Sequence, residues 1–122
     1  MIRIQAEDFD VGAEMAAMNG DGDVGALASF VGLVRGGKGD AKIAAMTLEH
    51  YPGMTEKKLA EIEAEARTRW PLEDCLIIHR FGRLEPGERI VMVITASSHR
   101  QAALEACAFL IDWLKTSAPF WK

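Results

Sequence analysis

The sequence predicts an α+β fold, two long helices packed on a largely antiparallel sheet. Three observations predict it. Helical periodicity fills residues 52–71 and again the stretch after Ser98. Between them lie two runs rich in β-branched residues, joined by the turn "EPGE". The first half of the chain carries short apolar runs interrupted by glycine-rich segments. With 122 residues and no repeat or low-complexity linker, the chain reads as a single domain, 1–122. A chain of this size buries roughly two thirds of the surface its unfolded form exposes, so one core suffices.

Each element has its own signal. "IRIQA" alternates like a short strand, and "VGAEMAAMNG" reads as a short helix stopped by the turn-rich "NGDGDVG". "GALASFVGLVR" is small and apolar enough for a buried strand. "GGKGDAK" holds three glycines and reads as a loop joining two neighbouring strands, the second being "IAAMTLEHY". In "PGMTEKKLAEIEAEARTRWP", Thr55 is the expected N-cap. Leu59, Ile62, Ala66 and Trp70 trace one apolar stripe, and Glu63–Arg67 and Glu65–Arg69 are i,i+4 pairs on the outer side. Pro71 ends the helix. "CLIIHRFGRL" and "RIVMVITASS" are expected to form an antiparallel pair. The last helix is expected to start at Ser98, in a capping box with Gln101, and to run until Pro119.

Composition narrows the function. Apolar residues at 49% and charged residues at 26% are the balance of a soluble globular protein. The net charge of −4 argues against a general nucleic-acid or acidic-membrane binder, though not against a local basic pocket. No stretch reaches the ~18 apolar residues of a membrane span, and "MIRIQAEDFD" has neither the basic region nor the apolar run of a signal peptide. Cys75 and Cys107 stand apart from each other and from any histidine cluster, so no metal site is expected and a reducing, cytoplasmic setting is the default.

The candidate chemistry is cationic. On the last helix, Leu104, Ala108 and Ile111 form a stripe whose next member is Lys115. Its stem either covers core while the ammonium reaches water, or it stands at the mouth of a pocket as a base or nucleophile. At the other end, Ser98 caps and His99 and Arg100 are either solvated or an anion site at the helix N-terminus. Arg35, at a strand end in "GLVRGGKGD", is a further anion contact, although the order of a phosphate-binding P-loop is missing. His79 reads as a packed or edge histidine, Cys107 as a packing thiol, and Glu49 and His50 as a strand-to-helix junction. No nucleophile elbow is present. Residue patterns alone stop at anion binding.

Three strings go further: "TLEHYPGMTEKKLAEIEAEARTRWP", "ITASSHRQAALEACAFLIDWLKTSAPFWK" and "SFVGLVR". With "IHRFGRLEPGE", they resemble the large, catalytic subunit family of molybdopterin synthase, and the likeness runs from Val24 to Lys122. The resemblance implies an α/β-hammerhead-like fold. It implies conversion of cyclic pyranopterin monophosphate to molybdopterin by dithiolene sulfur transfer. The sulfur donor is a ubiquitin-like small subunit with a thiocarboxylate on its C-terminal Gly-Gly. It also implies a homodimer carrying two small subunits, a heterotetramer, with no metal or cofactor. Matched position by position, the family's pocket lysines fall on Lys115 and Lys122 and its anion-binding arginine on Arg35, preceded by the substrate-lining Leu33 and Val34. Its His-Arg pair falls on His99 and Arg100, and Phe30 falls near the partner's tail. In that light "WLKTSAPFWK" is a pocket wall, with Phe120 and Trp121 anchoring Lys122 opposite Lys115. Family members usually continue past "APFWK" with a polar segment, whereas this sequence stops there. The alternative is a docking module that binds the ubiquitin-like protein without chemistry. Both lysines together with Arg35, His99 and Arg100 favour the enzyme.

Overall fold

The computed structural model describes residues 1–18, 20, 22–36 and 45–116. In chain order the elements are β1 (Ile2–Gln5), α1 (Val11–Ala17), β2 (Ala26–Leu33), β3 (Met46–Leu48), α2 (Met54–Arg69), β4 (Leu72–Arg80), β5 (Gly82–Leu84), β6 (Arg89–Ser97) and α3 (Arg100–Thr116). One sheet has the order β1-β4-β6-β2 and a second pairs β3 with β5. Among the described residues only the β1–β4 pairing is parallel. The expected α+β architecture and the antiparallel pairing of the two β-branched runs are therefore present.

The main sheet is buried on both faces, which explains why β4 and β6 read as continuous apolar runs rather than as alternation. On one face, Cys75 and Ile77 of β4 and Val93 of β6 pack with Ile62 and Ala66 of α2 and with Ala103, Cys107 and Leu110 of α3. On the other, Leu76, Ile78, Met92 and Ile94 pack with Phe9 and Met18, which flank α1. A smaller cluster of Val34, Leu48 and Leu84 holds the β3–β5 ribbon. Thr95 ties helix to sheet, its hydroxyl donating to the Ala103 carbonyl at 2.6 Å.

Several expectations are corrected. β2 and β3 are not neighbours, because β2 pairs with β6 and β3 with β5. "CLIIHRFGRL" is not one strand. It breaks after Arg80, and Gly82 at φ +94 redirects the chain into β5, a turn that a side chain would strain. The α2 N-cap is Gly53, and Thr55 lies inside the first turn, fully buried, with its hydroxyl accepting from the Tyr51 N–H at 3.1 Å. Of the expected stripe, Leu59, Ile62 and Ala66 are buried, whereas Trp70 is the extended C-cap beyond the helix and only half-buried; both predicted ion pairs of α2 form, at 3.0 and 2.9 Å. In α3 the expected capping box is absent. Ser98 donates its hydroxyl to the Asp23 carbonyl, Gln101 reaches Glu105, and the helix starts at Arg100. The buried face of α3 is Ala103, Ala106, Cys107 and Leu110, and Leu104 is 61% exposed.

Candidate functional site

A cavity of about 670 Å³ opens where the end of α3 crosses the sheet. Its floor is a strand row. Gly32 of β2 pairs with Val91 of β6, and Val91 pairs with His79 of β4. Gly32 has to be glycine there, because a Cβ would stand 2.8 Å from Val91 Cγ1 and 3.3 Å from the Phe30 ring. The Val91 methyl, with the edge of the Phe30 ring beside it, occupies the space that a side chain would take.

The walls come from three directions. β2 and the residues after it supply Phe30, Leu33 and Arg35, the ribbon supplies Met46 and Leu48, and the last turn of α3 supplies Ile111, Leu114 and Lys115. Thus Arg35 and Lys115 reach one apolar-walled space. The phase correction in α3 explains how. Lys115 follows Leu114, which packs on the core, so it stands at the flank of the buried face rather than along its centre. It is exposed, as is Arg35, and both therefore sit at the rim with their charges hydrated. Leu33 is 52% exposed beside them.

The other sequence-derived residues fall elsewhere. Val34 is 3% exposed and packs with Leu48 and Leu84, so it supports the wall without lining it. His99 and Arg100 are exposed at the opposite end of α3, about 22 Å from Lys115 at the helical rise of 1.5 Å per residue. One copy of the chain does not bring them to the cavity. Lys122, with Phe120 and Trp121, lies outside the described residues.

Sequence reasoning missed His79 as a lining residue. It is only 7% exposed and belongs to the cavity floor. The signal was its parity: it shares a strand face with Cys75 and Ile77, the face that packs on α3. His50 and Glu56 form a separate pair, 3.3 Å apart, with His50 stacked on Phe81 at 4.8 Å. Among the described residues no group of three His, Cys, Asp or Glu side chains is placed to hold a metal ion, and no helix is long and apolar enough to cross a membrane.

A cationic rim over an apolar pocket suits an anionic ligand with a flat or aliphatic body. Comparison with known proteins is consistent with this. A family model described as MoaE protein matches residues 4–117. A molybdopterin synthase catalytic subunit from Mesorhizobium japonicum is 56% identical over 122 residues, spanning 99% of this chain and 76% of that protein. A solved molybdopterin biosynthesis MoaE protein from Burkholderia ambifaria is 56% identical with a TM-score of 0.90, over 99% of this chain and 80% of that one. The fold is shared, at 22% identity and a TM-score of 0.81, with a chain in the complex of subunits 1 and 2 of molybdopterin-converting factor from Helicobacter pylori, over 98% of this chain and 81% of that one.

Proposed function

This chain belongs to the MoaE family, and we propose that it is the catalytic subunit of a molybdopterin synthase, a sulfurtransferase that converts cyclic pyranopterin monophosphate to molybdopterin in the cytoplasm. The observation that carries this reading is the meeting of Arg35 and Lys115 at one apolar-walled cavity. The substrate presents a phosphate and a fused ring system. The guanidinium of Arg35 offers the paired donors a phosphate takes, and the apolar walls suit the ring. Lys115 stands where a base, a nucleophile or a counter-charge for the incoming sulfur is needed. Lys122 is the second lysine of this proposal.

The sulfur donor is a ubiquitin-like small subunit whose C-terminal Gly-Gly thiocarboxylate enters beside Phe30 and Leu33. A tail without side chains suits a narrow entry. The chain acts as a homodimer with one small subunit at each end. The dimer gives His99 and Arg100 a role that one copy denies them: the second copy brings its helix N-terminus to the cavity, adding two phosphate ligands. No metal and no further cofactor takes part.

The test is reconstitution with thiocarboxylated small subunit and cyclic pyranopterin monophosphate, molybdopterin being measured as its fluorescent oxidation product. Wild type is expected to form product. Lys115→Ala is expected to lose it at least 100-fold while keeping its melting temperature and its affinity for the small subunit. Small-subunit binding without product from wild type would instead identify a docking module. Near-normal turnover by Lys115→Ala would remove the lysine from the mechanism.

A further inference from the structure

Arg35 is the phosphate contact of the function proposed above, yet it is exposed and lies two residues beyond the end of β2. A long, exposed side chain loses freedom when it grips a ligand, and that cost falls when its backbone is already fixed. The turn 85–88, which joins β5 to β6, fixes it. The Val34 N–H donates to the Glu88 carbonyl at 2.9 Å, and the Gly87 N–H donates to the Val34 carbonyl at 2.9 Å. Both backbone groups of the residue before Arg35 are therefore held by one turn. On the other side of Arg35, Pro86 lies against Gly36, where an added Cβ would stand 3.4 Å from the Pro86 Cβ.

Glu88 closes that turn. Its carboxylate accepts the Glu85 N–H at 2.7 Å, and its own N–H donates to the Glu85 carbonyl at 3.0 Å. Gly87 supplies the φ of +91 that the turn takes. The carboxylate also accepts from the Arg80 guanidinium, Nη1 to Oε1, at 3.4 Å. Arg80 is only 6% exposed and is itself held, donating to the Ala6 carbonyl at 3.0 and 2.9 Å and to the Arg89 carbonyl at 3.0 Å. A charged side chain in a fixed place thus ties the turn to the sheet.

The register of β2 on β6 shows what the turn accomplishes. Gly32 pairs with Val91 but Leu33 pairs with Arg89, so Ile90 is skipped and the ladder carries a bulge. A bulge re-aims the side chains that follow it. Before it, the even-numbered Ala26, Ala28 and Phe30 pack in the cluster that includes α3. After it, the odd-numbered Leu33 and Arg35 line the cavity, and Val34 packs with Leu48 and Leu84. The two bonds from Val34 to the turn hold the end of the strand in this new phase.

We propose that Glu88 is a positioning residue for Arg35. Its carboxylate closes the 85–88 turn, and the turn's two bonds to Val34 aim Arg35 at the cavity. Glu88 is not among the residues that line the cavity, so it acts through Arg35 and not on the substrate. The inference rests on Arg35 binding the substrate's phosphate, as proposed above.

Two measurements test it. Amide hydrogen exchange on the full chain requires no turnover. In Glu88→Ala the Val34 and Gly87 amides are expected to exchange about tenfold faster than in wild type or more, while that of Ile77, buried in the sheet, keeps its rate. Glu88→Gln keeps an acceptor for the Glu85 N–H and is expected to exchange as wild type does. Unchanged rates at Val34 and Gly87 would overturn the proposal, and equal acceleration at Ile77 would defeat it as general loosening. In the reconstituted synthase, Arg35→Ala and Glu88→Ala are each expected to raise the KM for cyclic pyranopterin monophosphate about tenfold, with kcat within a few-fold, and Glu88→Gln to keep the wild-type KM. The double variant of Arg35→Ala with Glu88→Ala is expected to match Arg35→Ala alone, because no arginine is left to position. Losses that multiply would mean that Glu88 acts elsewhere and would overturn the proposal. If wild type itself makes no product, the functional reading fails, and the exchange rates still decide whether Glu88 holds the backbone beside Arg35.

Discussion

Burial sets the chemistry of single side chains here. Cys75 and Cys107 lie in the core between the sheet and the long helices. Desolvation pushes the Cys75 thiol up to about 12, with the Glu63 carboxylate adding to it, and pushes Cys107 up to about 11. At pH 8 the thiolate fractions are then roughly one in ten thousand and one in a thousand, and the thiolate is the reactive form. The folded protein is therefore expected to resist iodoacetamide at pH 8 and to take up two labels once denatured, as mass spectrometry of the labelled chain reports. Rapid labelling of Cys107 alone would show α3 lifting from the sheet. These thiols were legible from sequence, since neither stands beside a histidine or a second cysteine. Arg35 and Lys115 were legible as cations flanking apolar runs. His79 was not, because burial on both faces hides strand alternation, and a floor position looks the same as a core position.

Helix ends show what local pattern settles and what it leaves open. The body of α2 follows its periodicity, but its start does not. The first turn is closed by Glu56, whose carboxylate accepts the Gly53 N–H at 2.9 Å, while the caps of Thr55 and Ser98 suggested by residue type alone are spent on other partners. The backbone N–H of Glu56 itself, then His50 and the Gly53 N–H, hold the Glu56 carboxyl below its ordinary 4.5. A carboxyl lowered on folding stabilises the folded state above its unfolded value, and that contribution fades as pH falls through the lower folded value. Glu56→Ala is expected to cost about 1 kcal/mol at pH 7 in urea unfolding. The gap to wild type is expected to narrow below pH 4.5. A gap independent of pH would mean that the loss comes from packing and not from the charge. The phase of α3 was misread for a related reason. Leu104, Ala108 and Ile111 are apolar at helical spacing, but so are Ala103, Cys107 and Leu110, and only contact with Thr95 and Val93 decides which stripe is buried.

For the whole molecule, pairings distant in sequence were the hardest to read. The parallel β1–β4 pairing and the separation of the β3–β5 ribbon from β2 both depend on how the layers close, which no short window carries. The distribution of charge over the molecule makes the last prediction. Arg35 and Lys115 lie at one end of α3, and His99 and Arg100 lie at the other, about 22 Å away along the axis. If both sets bind one phosphate, each site of a homodimer takes its lysine from one copy and its His-Arg pair from the other. Lys115→Ala and Arg100→Ala are then inactive alone in different ways. Mixed in equal amounts and allowed to exchange subunits, half the dimers contain one of each. In such a dimer one site carries both substitutions and the other carries neither, so the mixture is expected to recover about a quarter of wild-type turnover. A site built within one copy, or an Arg100 remote from the substrate, gives no recovery above the separate variants. Native mass spectrometry of the mixture fixes the fraction of mixed dimers, so absent recovery in exchanged protein counts against the shared site, and recovery places the second copy's helix N-terminus at the cavity.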